Sequence, residues 1–308
     1  MSLFRPHPHL ALAAILLLVA AAARAQIDIS VSGGAGLADA KVSLSGSSVS
    51  LISPSERAEF QLTEWQLLSA VEKLSGGRPA EAYVGEPTTW RLYPTYNWHQ
   101  VQRVLRPVKA KIVQLKSSPV TVTTKFFDNR SFAGKATFQG SVSLQKKNTF
   151  TSTWSSATAL SLGQEITFSF NIGVASFESS TSFEYATSWG KDSSQAQTTT
   201  LGSESGIELE LEGGRAAVAL LSATRGELVL EVEYEALVVG QVAANYPGRY
   251  RDHYFWAYDV RALLAAAGQP HVRRSKQTVR VGFYSDDTVA YYDHETGEPL
   301  PSAAVSKK

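Results

Sequence analysis

The chain has 308 residues, 44% of them hydrophobic, with 29 Lys and Arg against 28 Asp and Glu and no cysteine. That length admits a sizeable buried core, and the near-neutral balance argues against a nucleic-acid partner, which usually needs a basic face. Lack of cysteine removes disulfides, thiolate metal sites and thiol catalysis together, so stability must come from strand pairing and core burial.

Residues 1–25 read as a secretory signal peptide. They have a basic, proline-containing start at Arg5, an apolar stretch from Leu10 to Ala23, and the small-x-small site Ala23-Arg24-Ala25 before Gln26. The apolar stretch is shorter than the ~20 residues a membrane-spanning helix needs. Cleavage predicts a secreted, extracellular chain. The leader takes away two of the 29 basic residues and no acid, so 27 basic against 28 acidic residues leave −1.

From Ile27 to Ser53 a weak alternation among Gly and Ser predicts short strands or an extended leader. Thr63 with Gln66 makes a capping box for a helix on which Trp65, Leu68, Val71 and Leu74 recur, ended by Gly76-Gly77. Between Tyr83 and His99 the chain is dense in rings, with Pro87 and Pro94 marking bends. Trp90, Tyr93, Tyr96 and Trp98 serve there either as a ligand platform or as the core of a small lobe. Residues 26–107 are therefore read as an N-terminal head or binding lobe.

Val108 to Leu115 and Val120 to Phe127 predict two strands. Asn129-Arg130-Ser131 is a three-residue glycosylation sequon, expected on an exposed turn with Asn129 as the acceptor. Further on, Ala216 to Leu221 and Gly226 to Val239 predict strands, the latter with Glu227, Glu231, Glu233 and Glu235 on one side and Leu228, Leu230, Val232 and Tyr234 on the other. Asp259 caps a short helix from Val260 to Ala267, stopped by Gly268. Val279 to Tyr284 and Val289 to Tyr292 read as a last strand pair, and residues 301–308 as a disordered tail. The body then spans 108–242, with 243–300 a β/α segment packed on it. Long strands, few helices and no βαβ alternation predict a mainly β, elongated antiparallel fold with a small α+β head.

Residues 149 to 211 form the most distinctive stretch, an amphipathic β-hairpin with unusually long arms. Phe150, Trp154, Leu160, Leu162, Ile166, Phe168, Phe170, Ile172 and Val174 are even-numbered on the outgoing arm. Phe183, Tyr185, Trp189, Leu201, Ile207, Leu209 and Leu211 are odd on the return. Successive strand residues point to opposite faces, so each arm has one apolar and one polar face. Between 149 and 203, 23 of 55 residues are Ser or Thr and only Glu165, Glu178, Glu184, Lys191 and Asp192 are charged. Any half-buried antiparallel strand alternates in this way. Loss of charge over arms of about thirty residues, against a usual strand of ~5–6, is better explained by a ribbon built for two environments. Thr167 to Ala175 and Thr181 to Trp189 each match the ~9–11 residues that cross a bilayer as tilted strands. One hairpin alone would leave unpaired edges in lipid, so insertion requires several chains to close a ring.

The run from Phe126-Phe127-Asp128-Asn129, through the Ser/Thr-rich arms, to Gly202, Ile207 and Leu228 to Tyr234 resembles the aerolysin-like family, which includes the epsilon-toxin and mosquitocidal-toxin group of β-pore-forming proteins. The resemblance covers roughly 108–242 and implies an elongated body, a head that binds a lipid membrane or a membrane receptor, homo-oligomerisation, and a tucked hairpin, here 166–189, that unfolds into a shared barrel. Asn245-Tyr246-Pro247 and His253-Tyr254-Phe255-Trp256 also look like the C-terminal segment of spherulin-like and insect follicular-epithelium yolk proteins. That second likeness implies an alternative, a non-lytic secreted egg, cyst or matrix protein on the same body. Arg273-Arg274 precedes an apparent strand rather than a removable tail, a departure from toxins activated by proteolysis.

In a barrel, Phe168, Phe170, Ile172, Val174, Phe183 and Tyr185 would face lipid. Thr167, Ser169, Asn171, Ser182 and Glu184 would face the lumen, with Glu184 forming either an acidic ring or an ordinary exposed residue. Phe177 at the tip would anchor the leading edge or cover a neighbouring strand. His99, His253, His271 and His294 have no metal-ligand spacing. No nucleophile elbow, phosphate-cradling loop or carboxylate pair is present, so the sequence points to no enzyme, cofactor or metal. A hairpin lying on the sheet fits conversion, and one built in as central strands speaks against it.

Overall fold

Alternating β-branched, aromatic and hydroxyl residues dictate the architecture seen in a computed structural model, which describes residues 26–33, 38–155, 164–172, 181–300 and 305–307. In chain order the elements are β1 (Ile27–Gly33), β2 (Lys41–Ser45), β3 (Ser48–Leu51), α1 (Pro54–Glu59), α2 (Glu64–Ser75), β4 (Glu81–Tyr83), α3 (Leu92–Tyr96), β5 (Gln102–Asp128), β6 (Ala136–Trp154), β7 (Glu165–Ile172), β8 (Thr181–Ser188), β9 (Ser193–Leu211), β10 (Ala216–Val239), β11 (Gln241–Tyr250), β12 (His253–Asp259), α4 (Val260–Ala266), β13 (Val272–Asp293) and β14 (Val305–Lys307).

A long sheet ordered β14-β9-β6-β13-β10-β5-β3 forms the body. A smaller sheet, β2-β1-β7-β8, lies against its face, and β12-β11-β4 forms the head sheet with α2 and α4 beside it. β5 has 27 residues, which at ~3.3 Å each reach roughly 80–90 Å, so the body is elongated.

The long strands differ from the sequence reading in one respect. Segments expected as separate strands join: 108–115 with 120–127 in β5, 216–221 with 226–239 in β10, and 279–284 with 289–292 in β13. In β10 and β13 the break is a β-bulge rather than a turn, and in β5 residues 116–119 pair without interruption with Thr224 to Glu227. The β10–β5 register shifts at Leu221/Ser222, Val229/Leu230 and Glu233/Tyr234, and the β10–β13 register shifts at Ser222/Thr224. A bulge inserts a residue and flips the facing while the ladder continues. Hence Ala217, Ala219 and Leu221 are buried on one side of that point, and Leu228, Leu230 and Val232 on the other.

The head is also drawn differently. Residues 27–51, grouped with it by sequence, pair with the body sheets through β1–β7 and β3–β5. Residues 241–259 join the head sheet instead, where Ala243 to Asn245 pair with Glu81 to Tyr83. The capping box on α2 forms, with the Thr63 N–H donating to Gln66 Oε1 at 3.1 Å and Gly76 left-handed at the C-terminus. Its buried face is Leu67, Ala70 and Val71, whereas Trp65 is 70% exposed. The docked stripe is thus rotated from the one expected. Glu56 on α1 and Arg103 on β5 form a buried ion pair at 2.9 Å. The tail expected to be disordered contributes β14, which pairs with Ile207 to Leu209 at the edge of β9.

Candidate functional site

The ribbon is folded in two. β6 and β9 pair from Ala136 with Leu211 to Ser152 with Ser193, after which the arms part, β6 keeping its ladder with β13 as far as Trp154. Trp154 N–H donates to the Asp192 carboxylate at 2.8 Å, closing the ladder with a side chain where backbone partners part. Gly190 takes a left-handed turn, with φ 72°. At the base of the hairpin the Trp189 N–H donates to Gln164 O at 2.8 Å. β7 and β8 then pair from Glu165 with Ser188 to Ile172 with Thr181 and lie back across the face from which the arms emerged.

What holds the hairpin down is its apolar face. Ile166, Phe168, Phe170, Ile172, Phe183, Tyr185 and Trp189 are all buried, Phe170 to 1% exposure, in one core with Leu228, Val232, Val279 and Val281 of the long sheet. Phe150 of β6 stacks on Tyr185 at 4.8 Å between ring centres and meets Phe168 at 5.4 Å. Near the fold-back, Trp189 packs on Trp154 at 5.4 Å and edge-on to Tyr234 at 4.7 Å. Beneath them runs a buried polar chain in which Tyr234 Oη donates to Gln277 Oε1 and Gln277 Nε2 donates to Ser152 Oγ at 2.6 Å. Burying an aromatic or large aliphatic side chain contributes about 1.5–3 kcal/mol. Among the described residues, Trp154 Nε1 and Thr187 Oγ1 in this core have no hydrogen-bond partner, each a cost of about 1–3 kcal/mol against this packing.

The opposite face is wet, since Asn171, Ser182 and Glu184 are exposed and Ser169 half-buried, with Ser169 Oγ 3.5 Å from Glu184 Oε2. Thr167 departs from that pattern, being buried where Gln26 Nε2 donates to its hydroxyl at 2.7 Å. Val174 and the tip residue Phe177 lie outside the described residues. The hairpin is not inserted into the long sheet. Within the small sheet, however, β7 is interior, paired in parallel with β1 from Ile27–Ile166 to Gly33–Ile172, while β8 is the edge. Sequence reasoning missed β1 as a partner of the hairpin, because a seven-residue strand with Ser at alternate positions carries no sign of its neighbour.

The head aromatics divide. Trp90 and Tyr96, 41% and 48% exposed, gather with Trp98 and Phe255. Tyr96 stacks on Trp98 at 4.8 Å, and Trp90 meets Phe255 at 5.1 Å. Tyr93 does not join this surface, which corrects its place in the platform. It is 2% exposed, with its hydroxyl 2.7 Å from Tyr83 O and 3.0 Å from Gln241 O, and burial pushes its pKa up. Phe255, 157 residues beyond Trp98, had no local signal linking it to the cluster.

Asn129 is also corrected. It is fully buried, and its Nδ2 donates to the carbonyls of Gly134, Leu211 and Glu212 at 2.9–3.0 Å, pinning the β5–β6 turn to the end of β9. The folded chain has no room for a glycan on that nitrogen.

A long bulged sheet with an amphipathic hairpin folded back on its face and a separate aromatic head is the architecture of the aerolysin-like class. The solved structure of parasporin-2, a Bacillus thuringiensis toxin that recognizes cancer cells, shares this fold, with a TM-score of 0.52 over 85% of this chain and 100% of that one at 14% identity. The chain belongs to the U-megalopygitoxin(8) family. It is 34% identical to U-megalopygitoxin(8)-Mc8 of Megalopyge crispata over 260 residues, covering 83% of this chain and 88% of that protein. It is 32% identical to U-megalopygitoxin(8)-Mo12 of Megalopyge opercularis over similar shares. No protein-family model matches the chain.

Proposed function

We propose that the protein is a secreted toxin that binds a target membrane through its head, assembles with copies of itself and inserts the 166–189 hairpin as part of a shared β-barrel. The observation that carries this reading is the folded-back hairpin, whose described candidates for lipid contact are all buried and whose candidates for the lumen, Thr167 apart, are exposed or half-buried. Strand direction supports it. β6 runs from Ala136 at the far end of the body to Thr153 and Trp154, which pair with Thr278 and Gln277, and those residues face Glu231 and Val232 on the β10 segment leading to the head. A straightened ribbon therefore emerges on the head side, where Trp90, Tyr96, Trp98 and Phe255 offer amphipathic rings of the kind that settle at membrane interfaces. Glu184 then places one carboxylate per chain in the lumen, which favours cations.

Because Phe170 is part of the soluble core, an aspartate there would damage folding and insertion alike. The cysteine-free chain permits a cleaner test, in which single cysteines at 167 to 172 are left unlabelled in the folded chain and offered thiol reagents only after release of vesicle contents. Even positions should then react with a lipid-soluble reagent and odd ones with an aqueous reagent. No release from vesicles of total cell lipid or from intact cells, with the hairpin still protected on the bound chain, would sink the proposal and leave the non-lytic egg, cyst or matrix reading.

A further inference from the structure

The face of the long sheet turned away from the hairpin holds a concavity of about 670 Å³ that the pore reading does not use. One row of neighbours crosses it, Lys116 on β5, Glu227 on β10, Gly282 on β13 and Thr149 on β6. Gly282 leaves the middle of that row open, where an added Cβ would fall 2.7 Å from Thr149 Oγ1. Arg225, Arg280 and Lys147 border the row from the adjacent positions of β10, β13 and β6. Four cations thus surround one carboxylate. Among the described residues Glu227 reaches only Arg280, at 3.8 Å, and Lys116, Lys147 and Arg225 are in no ion pair. On the same sheet Glu235 pairs with Arg106 and Arg274, and Glu233 with Lys276. The cup itself carries an excess of about three positive charges.

We infer that this cup binds a compact polyanion carrying several phosphate or sulfate groups. The cations stand on four adjacent strands spaced ~4.8 Å apart, so the outermost backbones are about 14 Å from one another. One tetrahedral oxyanion cannot engage them all, whereas a small ring bearing several such groups can. Hydroxyls of Ser118, Thr149 and Thr151 line the same space and donate to phosphoryl oxygens. β5, β10 and β13 give the cup a rigid floor, and the inference stands whether or not the hairpin inserts.

The test is calorimetric titration of the mature chain with inositol hexakisphosphate at physiological salt, with inorganic phosphate as the comparison. Saturable one-to-one binding is expected, much tighter than for phosphate. Arg225→Ala with Lys147→Ala should weaken it about 100-fold, near tenfold for each charge-assisted contact removed. Arg130→Ala with Lys135→Ala, cations outside the cup, should leave it within about twofold, the small effect of screened surface charge. Absence of saturable binding, or equal loss in both double variants, overturns the inference. Cosedimentation with vesicles containing phosphatidylinositol 4,5-bisphosphate, against phosphatidylcholine alone, tells the source apart. Pelleting that the cup variant abolishes assigns a lipid headgroup, and binding confined to solution assigns a free polyanion.

Discussion

Phe150→Ala tests directly whether the hairpin sheet is stored as a separable layer. The ring belongs to β6 but touches three hairpin rings, Phe168 at 5.4 Å, Tyr185 at 4.8 Å and Phe170 at 6.4 Å, and is itself fully buried. Truncating such a phenylalanine costs about 3–5 kcal/mol, from lost transfer energy together with the cavity left behind. Its contacts are made across the interface between layers, so most of that loss should appear as easier lifting of β7 and β8. At about 1.4 kcal/mol per factor of ten, hydrogen-exchange protection of amides 166–172 and 182–188 should fall by roughly 10² to a few times 10³. Amides in the middle of β10 and β5 should keep nearly all of theirs. Equal loss of protection in both sets would refute the reasoning, because it would mean that the two layers open only together.

Thr187→Val removes a buried hydroxyl that has no partner among the described residues and should stabilise the folded-back hairpin by about 1–2 kcal/mol, read as a higher urea midpoint, with slower vesicle leakage. Breaking the buried Glu56–Arg103 pair with Glu56→Gln should cost about 3–5 kcal/mol in thermal or urea melts, and Glu56→Leu with Arg103→Met should recover much of it. Hydrogen bonds from Arg106 and then Arg274 hold the Glu235 carboxyl below its ordinary range. Its stabilisation is therefore present above the usual carboxylate pKa and is lost as pH falls through the depressed folded value. Glu235→Gln should accordingly shrink the drop in melting temperature between pH 6 and pH 2.5, and an unchanged drop would refute that assignment.

Local chemistry made much of the fold legible. The capping box at Thr63, the Asp259 cap and the parity of the two arms are short-range signals that the folded chain obeys. Long-range facts left no such trace. Nothing in Ile27 to Gly33 announces a parallel pairing with β7, and the burial of Asn129 depends on carbonyls more than eighty residues away. Bulges misled in the opposite direction, since the break in alternation after Ala223 looks like a turn, while β10 runs on through it with only a shifted register against β13. In the head, a run of rings could be read as platform or core, and the chain divides it between surface and interior. Tyr93 turns inward to satisfy its hydroxyl, while Trp90 and Tyr96 stay outside.

The fold-back has one arithmetic property with a mechanical meaning. Between the last β6–β9 pair, Ser152 with Ser193, and the first β7–β8 pair, Glu165 with Ser188, the outgoing side holds twelve residues and the return side four. A single unbroken ladder therefore requires one arm to creep past the other by eight positions. Eight is even, so the oily stripe and the hydroxyl stripe are each back on their own side once the slide is complete. Register and facing are thus counted separately, the first moved by eight positions and the second not at all.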